Sequence, residues 1–362
     1  METLLEVVFN KFQVGSTFKS FQELNSGHIN DTFLIYTDNK PHYVLQKING
    51  NVFVNAIGLV ENKVLVSRFL QAKDVTLTVE EISKKVLCFV KAKDNTFFYK
   101  DSSQNIWNLS IFIEDSITYL KTPNSQVAFE AGKATGKFLE DTKDFNVDQL
   151  TEILPDFHSV KKRYSQFKEV LNQATSEKIQ QSESQIAFVH QYIQEMQQID
   201  IAIEHDLIPL RLTHSDTKIS NILFSKNKAI CLIDTDTVMK GVLHFDYGDA
   251  IRTICNTADE DEKDLTLVNF NLAFFRSYTK GFFQELKNIS EEEKKRLPLC
   301  IKMMPFIMGL RFLTDFLNDN VYYKVKYENH NLDRAKNQFV YIQSINEKET
   351  EIKAILTEVI TP

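Results

Sequence analysis

Leu212-Thr213-His214-Ser215-Asp216-Thr217-Lys218-Ile219-Ser220-Asn221-Ile222-Leu223-Phe224, followed by Ile233-Asp234-Thr235-Asp236, is the stretch that decides how this chain folds. Phosphoryl transfer needs an acid that receives or orients the attacking hydroxyl and oxygen ligands for the metal on the phosphates. Asp216 is the acid, and Asn221 follows it at a five-residue offset. Lys218 lies where a cation can offset charge that develops on the transferring group. Ala229-Ile230-Cys231-Leu232-Ile233 is a short apolar run that reads as a buried strand and delivers Asp234 at its end. Asn221 and Asp234 then supply two oxygens to one magnesium ion, which takes few protein ligands beside phosphate oxygens and water. An Asp-rich loop with an Asn also fits an ordinary turn, because both residue types bond their own backbone. A turn alone does not call for the lysine, the amide and the following strand at these offsets.

The composition fits a soluble enzyme with a large core. The chain has 362 residues and a formal net charge of -7, with no dominant basic stripe, which argues against nucleic acid as the main partner. Cys88, Cys231, Cys255 and Cys300 lie far apart, several in apolar runs, and read as core thiols of a reducing compartment rather than a disulfide or zinc framework. Met1-Glu2-Thr3-Leu4-Leu5-Glu6 lacks the basic and apolar regions of a signal peptide, and no apolar run reads as long enough to span a bilayer. Cytoplasmic location without membrane attachment is the expectation.

Along the chain the texture changes near residue 120. Thr32-Phe33-Leu34-Ile35-Tyr36-Thr37 and His42-Tyr43-Val44-Leu45-Gln46, separated by Asp38-Asn39-Lys40-Pro41, read as a hairpin. A helix is expected from Val54 to Leu70, then strands at Lys85 to Val90 and Trp107 to Ile113. Helical patterns follow at Gln126 to Thr142, Phe157 to Ala174, Ser182 to Glu204, Asp264 to Lys287, Glu291 to Asn318, and Leu332 to the end. The expected class is α+β, with a small β-rich N-terminal lobe over 1–118 and a large, mainly helical C-terminal lobe over 119–362. That layout, with the active loop in the second lobe, is the protein-kinase-like two-lobe arrangement.

His214-Ser215-Asp216-Thr217-Lys218-Ile219-Ser220-Asn221, Ile233-Asp234-Thr235-Asp236-Thr237-Val238-Met239 and Phe245-Asp246-Tyr247-Gly248-Asp249-Ala250-Ile251-Arg252 resemble the aminoglycoside phosphotransferase and choline kinase superfamily. Gly27-His28-Ile29-Asn30-Asp31-Thr32-Phe33, Leu45-Gln46-Lys47-Ile48-Asn49, Gly309 to Leu317, and His330-Asn331-Leu332-Asp333-Arg334-Ala335 extend the likeness over most of the chain. They look most like the N-acetylhexosamine 1-kinases. The resemblance implies ATP as co-substrate, magnesium as cofactor and a small-molecule alcohol as acceptor, an amino sugar first.

The nucleotide end carries fewer distinctive residues. Gly27, His28 and Asn30 sit between two expected strands and can turn over the phosphates, with Gly27 allowing close backbone approach. Alone, the segment also fits a hairpin turn. In protein kinases a strand lysine contacts the α- and β-phosphates and pairs with a helix glutamate, and Lys47 and Glu61 are the candidates. Strand alternation sends Gln46 and Lys47 to opposite faces, so if Gln46 faces the cleft the phosphate cation comes from elsewhere. Asn108 to Glu114, including Ile111, reads as the hinge that meets adenine, or as a plain buried strand. Trp107 reads as core.

A neutral sugar needs polar side chains for its hydroxyls and an aromatic wall for its carbon face. Arg311, Asp315, Tyr322, Tyr323, His330 and Asn331 provide that mixture, and the resemblance makes them the preferred acceptor residues. Arg311 and Asp315 also fit a helical ion pair, and the tyrosines fit packing. Asp236, Asp246 and Asp249 read as supporting acids, with Asp246 and Asp249 bonding back to the catalytic loop and capping the next helix. His214 reads as a loop-orienting residue. The expected activity is ATP-dependent phosphorylation of the anomeric hydroxyl of an N-acetylhexosamine. The alternatives are a kinase of choline, ethanolamine or an aminoglycoside, and a pseudokinase that binds without catalysis.

Overall fold

β-branched and aromatic runs in the first third of the chain build one antiparallel sheet. Its strands are β1 (Phe18–Glu23), β2 (Asp31–Thr37), β3 (Tyr43–Lys47), β4 (Tyr99–Lys100) and β5 (Ile106–Ile111), in the order β1-β2-β3-β5-β4. The computed structural model describes residues 1–24, 29–73 and 76–360. The expected hairpin is present, with β2 and β3 in register from Asp31 opposite Lys47 to Ile35 opposite Tyr43. Phe33, Ile35, Tyr43, Leu45, Trp107 and Leu109 share one face and pack with Leu5, Val8 and Phe9 of helix α1 (Glu2–Phe9). Trp107 is core, as expected, and its Nε1 donates to Asp101 at 2.9 Å. Beside the sheet, α2 (Ala56–Gln71) buries Leu59, Val60 and Val64 against Ile48, Phe53 and Ile106. Asn55 caps it by accepting from Gly58 N.

The strand expected at Lys85 to Val90 does not form. Its backbone joins the outer edge of β5 through Val90 N to Leu109 O and Ile111 N to Cys88 O, and the pairing amounts to one isolated bridge, Phe89 to Ser110. β4 occupies the rest of that edge, opposite Ile106 and Trp107. Two short pieces share one edge, which leaves the 85–90 segment a single bridge and β4 two residues.

Helices dominate from Ser125 onward. In order they are the short α3 (Val79–Ser83) of the sheet region, then α4 (Ser125–Asp141), α5 (Val160–Leu171), α6 (Ser176–Gln181), α7 (Glu183–Met196), α8 (Gln198–Glu204), α9 (Leu243–Ile254), α10 (Leu272–Glu285), α11 (Glu291–Leu317), α12 (His330–Glu347) and α13 (Glu349–Ile360). The sequence patterns locate most of them but overrun their ends. The helix expected over Ser182 to Glu204 breaks at Gln197, and the last one breaks at Lys348. The one expected from Asp264 begins only at Leu272, where Asn271 accepts from Phe274 N at 3.0 Å and sets the start. Ser290 and Glu293 form a capping box at the start of α11. By length and composition α11 is apolar enough to cross a membrane, which corrects the sequence expectation, and 72% of its apolar 18-residue stretch is buried inside the protein. It is the central helix of the largest core, with Ile301, Met304, Phe306, Leu310 and Leu313 at its heart.

The antiparallel sheet before a helical C-terminal part is the expected α+β architecture. The four cysteines are unpaired, and three of them are buried. Close approach of α4 and α10 relies on residues without side chains. A Cβ on Gly132 would run into the carbonyl oxygen of Tyr278, and one on Gly281 into that of Phe129. Gly132→Ala forces two backbones apart in a filled core, and overpacking of this kind costs about 1–3 kcal/mol. Urea unfolding followed by circular dichroism should show that loss, whereas Gly15→Ala, where a Cβ meets nothing within 4 Å, should leave the midpoint unchanged.

Candidate active site

Two small ladders present the catalytic segment. β6 (Arg211–Thr213) pairs with β9 (Met239–Gly241), and β7 (Ile222–Ser225) pairs with β8 (Lys228–Leu232), so the loop 214–221 leaves one ladder and enters the other. Asp246 holds that loop: its carboxylate, buried inside α9, accepts from His214 N at 2.9 Å and from Ser215 N at 2.7 Å. Ser215 takes φ 63° there, a left-handed conformation that reverses the chain before Asp216. His158 bonds the Ser215 carbonyl at 3.0 Å, and His214 Nε2 bonds the Ile233 carbonyl at 2.9 Å, a loop-orienting contact. Asp246 bonds back to the loop as expected. Asp246 and Asp249 lie within α9, so neither caps it, and Asp249 pairs with Arg252 at 2.8 Å.

The expected catalytic and metal-ligand residues lie together. Lys218 Nζ donates to Asp216 Oδ2 at 2.6 Å, and Asn221 Nδ2 donates to the same oxygen at 2.8 Å. Ile233 N donates to the Asn221 carbonyl at 2.9 Å, which sets Asp234 beside Asn221. Burial raises the Asp216 pKa, but the Lys218 charge and hydrogen bonds outweigh it and hold the carboxyl below its ordinary value. Burial also works against charge on Lys218, yet Asp216 and Asp234 raise its pKa. Asp234, itself in the left-handed region at φ 60°, is pushed up to about 7 by burial and the neighbouring Asp236 charge.

An acid crowded by other acids fits a cation site. Among the described residues there is no group of three or more His, Cys, Asp or Glu placed to hold a metal. Magnesium does not require one, since an amide oxygen and one carboxylate suffice beside phosphate oxygens and water. With its amide nitrogen turned to Asp216, Asn221 keeps its oxygen for such an ion.

On the sheet side, the expected lysine and glutamate are not brought together. Lys47 shares the α1 face of β3 and pairs with Asp31 at 2.8 Å, away from the acidic loop, while Glu61 is exposed on α2. The strand period of two and the helix period of 3.6 put both side chains on the wrong faces. Gln46 points inward instead. Its Oε1 accepts from Asn108 at 3.2 Å and from Lys63 Nζ at 2.7 Å, and Lys63 also binds Asp236 at 2.5 Å. Lys63 was not among the expected residues; an amide at the inward position of β3 was the signal that a cation had to come from another element. Asn30 lies over the same loop, its amide nitrogen bonded to Asp236 and its oxygen accepting from Asn49 N at 2.8 Å. Asp236 is thus committed to protein partners. Ile111 ends β5 with its N–H bonded to Cys88, so it offers no free donor to a base. Gly27 and His28 lie outside the described residues.

The expected acceptor residues divide. The Arg311 guanidinium stands 5.4, 5.7 and 5.5 Å from the rings of Phe157, Tyr322 and Tyr323; among the described residues it pairs with no carboxylate, and its one hydrogen bond, at 3.8 Å, is to Met308 sulfur. No Arg311 to Asp315 ion pair forms. Asp315 is buried and accepts from the N–H groups of Tyr322 and Tyr323 and from Asn331, at 2.8, 2.9 and 2.8 Å, which fixes the tyrosine loop and uses up the acid. His330 is buried as well, between Asp261 and Lys326 N, so it supports a loop rather than facing a ligand. Arg163 and His158 were missed by the sequence. Burial and the Arg311 charge push Arg163 down to about 10, and burial, with both arginines, lowers His158 to about 3. Phe157 and His158 link Arg311 to the catalytic loop.

The chain's fold is similar to that of the microcompartment-associated aminopropanol kinase, with TM-score 0.66, 13% identity, and 97% of this chain and 98% of that one covered. It is also similar to a spectinomycin phosphotransferase solved with ADP and spectinomycin, with TM-score 0.60, 12% identity, and 98% of each chain covered. A choline/ethanolamine kinase family protein from Mesorhizobium loti follows, with TM-score 0.56, 12% identity, and 95% and 93% covered. At these identities the likeness is one of fold, and the fold is that of the kinase-like phosphotransferases. The sequence model of the phosphotransferase enzyme family matches residues 99–283, just over half of the chain and the whole of the catalytic segment, so this protein belongs to that family of small-molecule phosphotransferases.

Proposed function

We propose that the protein transfers the γ-phosphoryl group of ATP to the anomeric hydroxyl of an N-acetylhexosamine, giving the sugar 1-phosphate. The observation that carries the chemistry is Asp216, a carboxyl kept ionised by Lys218 and by the Asn221 amide at the end of a rigidly bonded loop. In that state it accepts or orients the proton of the attacking hydroxyl. Lys218, bonded to Asp216, offsets charge that develops on the transferred group. Asn221 and Asp234 are the residues that would hold magnesium, which when bound shields the phosphate oxygens and aligns them for in-line attack. ATP would lie between a nucleotide lobe of residues 1–118 and a catalytic and acceptor lobe of 119–362.

The nature of the acceptor follows from charge. Some structural neighbours are named for aminopropanol and for choline or ethanolamine, alcohols that carry a cation. A cationic acceptor needs acidic or bare aromatic surroundings. Here Arg311 already covers the faces of Tyr322, Tyr323 and Phe157, and Arg163 adds a second positive charge. A neutral sugar takes hydrogen bonds from Arg311 and stacks on these rings, and the likeness of the catalytic and C-terminal segments to N-acetylhexosamine 1-kinases supports an amino sugar with its nitrogen acylated. The pseudokinase alternative calls for loss of Asp216, Asn221 or Asp234, and all three are present.

Phosphorus NMR of products from a panel of sugars, amino alcohols and aminoglycosides tests the reading. An anomeric phosphate on an N-acetylhexosamine is the expected outcome, and a phosphate on another hydroxyl or on an amino alcohol overturns it. Asp216→Asn should lower kcat about 10²- to 10⁴-fold, the usual contribution of a positioned acid or base, with little change in melting temperature. Arg311→Met should raise KM for the sugar about 10- to 100-fold, the weight of about 1.5–3 kcal/mol in charged hydrogen bonds, and leave KM for ATP unchanged.

A further inference from the structure

In the strand-lysine arrangement of kinases, the cation that meets the nucleotide phosphates rises from the sheet and an acid on the adjacent helix orients it. Here both elements are present with their chemistry exchanged: β3 turns the neutral amide of Gln46 inward, and α2 turns the ammonium of Lys63 toward it. We propose that Lys63 is the phosphate-binding cation of the nucleotide site, with Gln46 as its orienting acceptor. This inference rests on the reading of ATP as co-substrate.

Four observations carry it. Lys63 is the only buried cation among the described residues of the first 118, at 4% exposure; Lys47 on β3 is paired outward to Asp31. Its ammonium has three donors, and the structure uses two on oxygen, at Gln46 and Asp236. The remaining donor has no oxygen acceptor among the described residues, and the nearest aromatic face, Phe89, lies 5.6 Å from the nitrogen. Through Asp236, two residues beyond Asp234, Lys63 meets the segment that carries the proposed metal ligand. A buried lysine between the sheet and the acidic loop, with a donor to spare, is placed for the oxygens of a nucleoside polyphosphate. Gln46 in turn is held by Asn108 from β5, which fixes its oxygen toward the lysine. A neutral partner leaves the ammonium's charge undiminished on that side, whereas a glutamate would offset it.

A purely structural lysine would only tie α2 to Asp236, and the two roles separate by ligand. Binding of ATP, ADP and adenosine to the full-length protein, with magnesium, is measured by calorimetry for wild type and Lys63→Met. The expected result is a loss of ten-fold or more in affinity for ATP and ADP, with adenosine within two-fold of wild type. Loss of all three in proportion, or no loss for ATP, overturns the proposal. If Lys63→Met fails to fold because Asp236 is left as an unpaired buried charge, Lys63→Met with Asp236→Asn removes both charges. Removing a negative charge favours phosphate, so weaker ATP binding with unchanged adenosine binding in the double variant comes from the lost ammonium, while wild-type ATP affinity there overturns the assignment. Lys47→Met should bind all three ligands as wild type does; a selective loss of ATP there returns the role to the strand. Wild-type protein that binds adenosine but neither ATP nor ADP overturns the nucleotide reading itself, separately from the role of Lys63.

Discussion

The grip of Asp246 on the backbone of His214 and Ser215 is the interaction on which the rest of the site depends. A carboxylate with no exposure to water is costly, and burial raises the Asp246 pKa to about 6 even though it accepts two N–H bonds and lies near His214. That cost fixes a loop whose N–H groups would otherwise be buried without partners. The same residue's carbonyl accepts from Thr217 Oγ1, and the His214 carbonyl accepts from Thr237 Oγ1 at 2.9 Å. Both sides of Asp216 are therefore bonded to α9 and to the segment that follows Asp234.

A second division of labour separates two acids that the sequence places two residues apart. The Asp234 carboxylate has no hydrogen bond among the described residues and is crowded by like charge, whereas Asp236 is tied to Lys63 and Asn30. The first has the electrostatics of a cation ligand; the second bridges the acidic loop to the sheet and its covering helix. Because Asn30 and Lys63 come from different parts of the chain, Asp236 joins the bend before β2, α2 and the catalytic segment at one point. The position of the sheet relative to the helical part thus depends on charge pairs as well as on apolar packing.

Around Arg311, where the acceptor is proposed to lie, the charge left without a carboxylate partner among the described residues is positive. Asp315, which could have neutralised Arg311, is turned to the backbone of Tyr322 and Tyr323, and Asp261 is taken by Lys326 and His330. Those acids build the walls of the region and leave the guanidinium among aromatic rings. A cationic alcohol would meet repulsion there, while hydroxyl and acyl oxygens would meet donors.

The local sequence determined the catalytic loop. Asp216, Lys218, Asn221 and Asp234 are close in the chain, so their spacing and one hairpin nearly dictate their meeting, and the β2–β3 hairpin was legible for the same reason. The α+β order of the elements was legible from periodicity, although helix ends were not, because breaks such as Gln197 and Lys348 depend on how neighbouring helices pack. What only the tertiary structure decided is which side chains complete the site from a distance. Lys63 in place of Lys47, Arg163 beside Arg311, and the withdrawal of Asp315 and His330 into structural roles all turn on which face of an element is covered. Covering is a property of partners far along the chain: period and propensity limit the faces available, but packing selects among them.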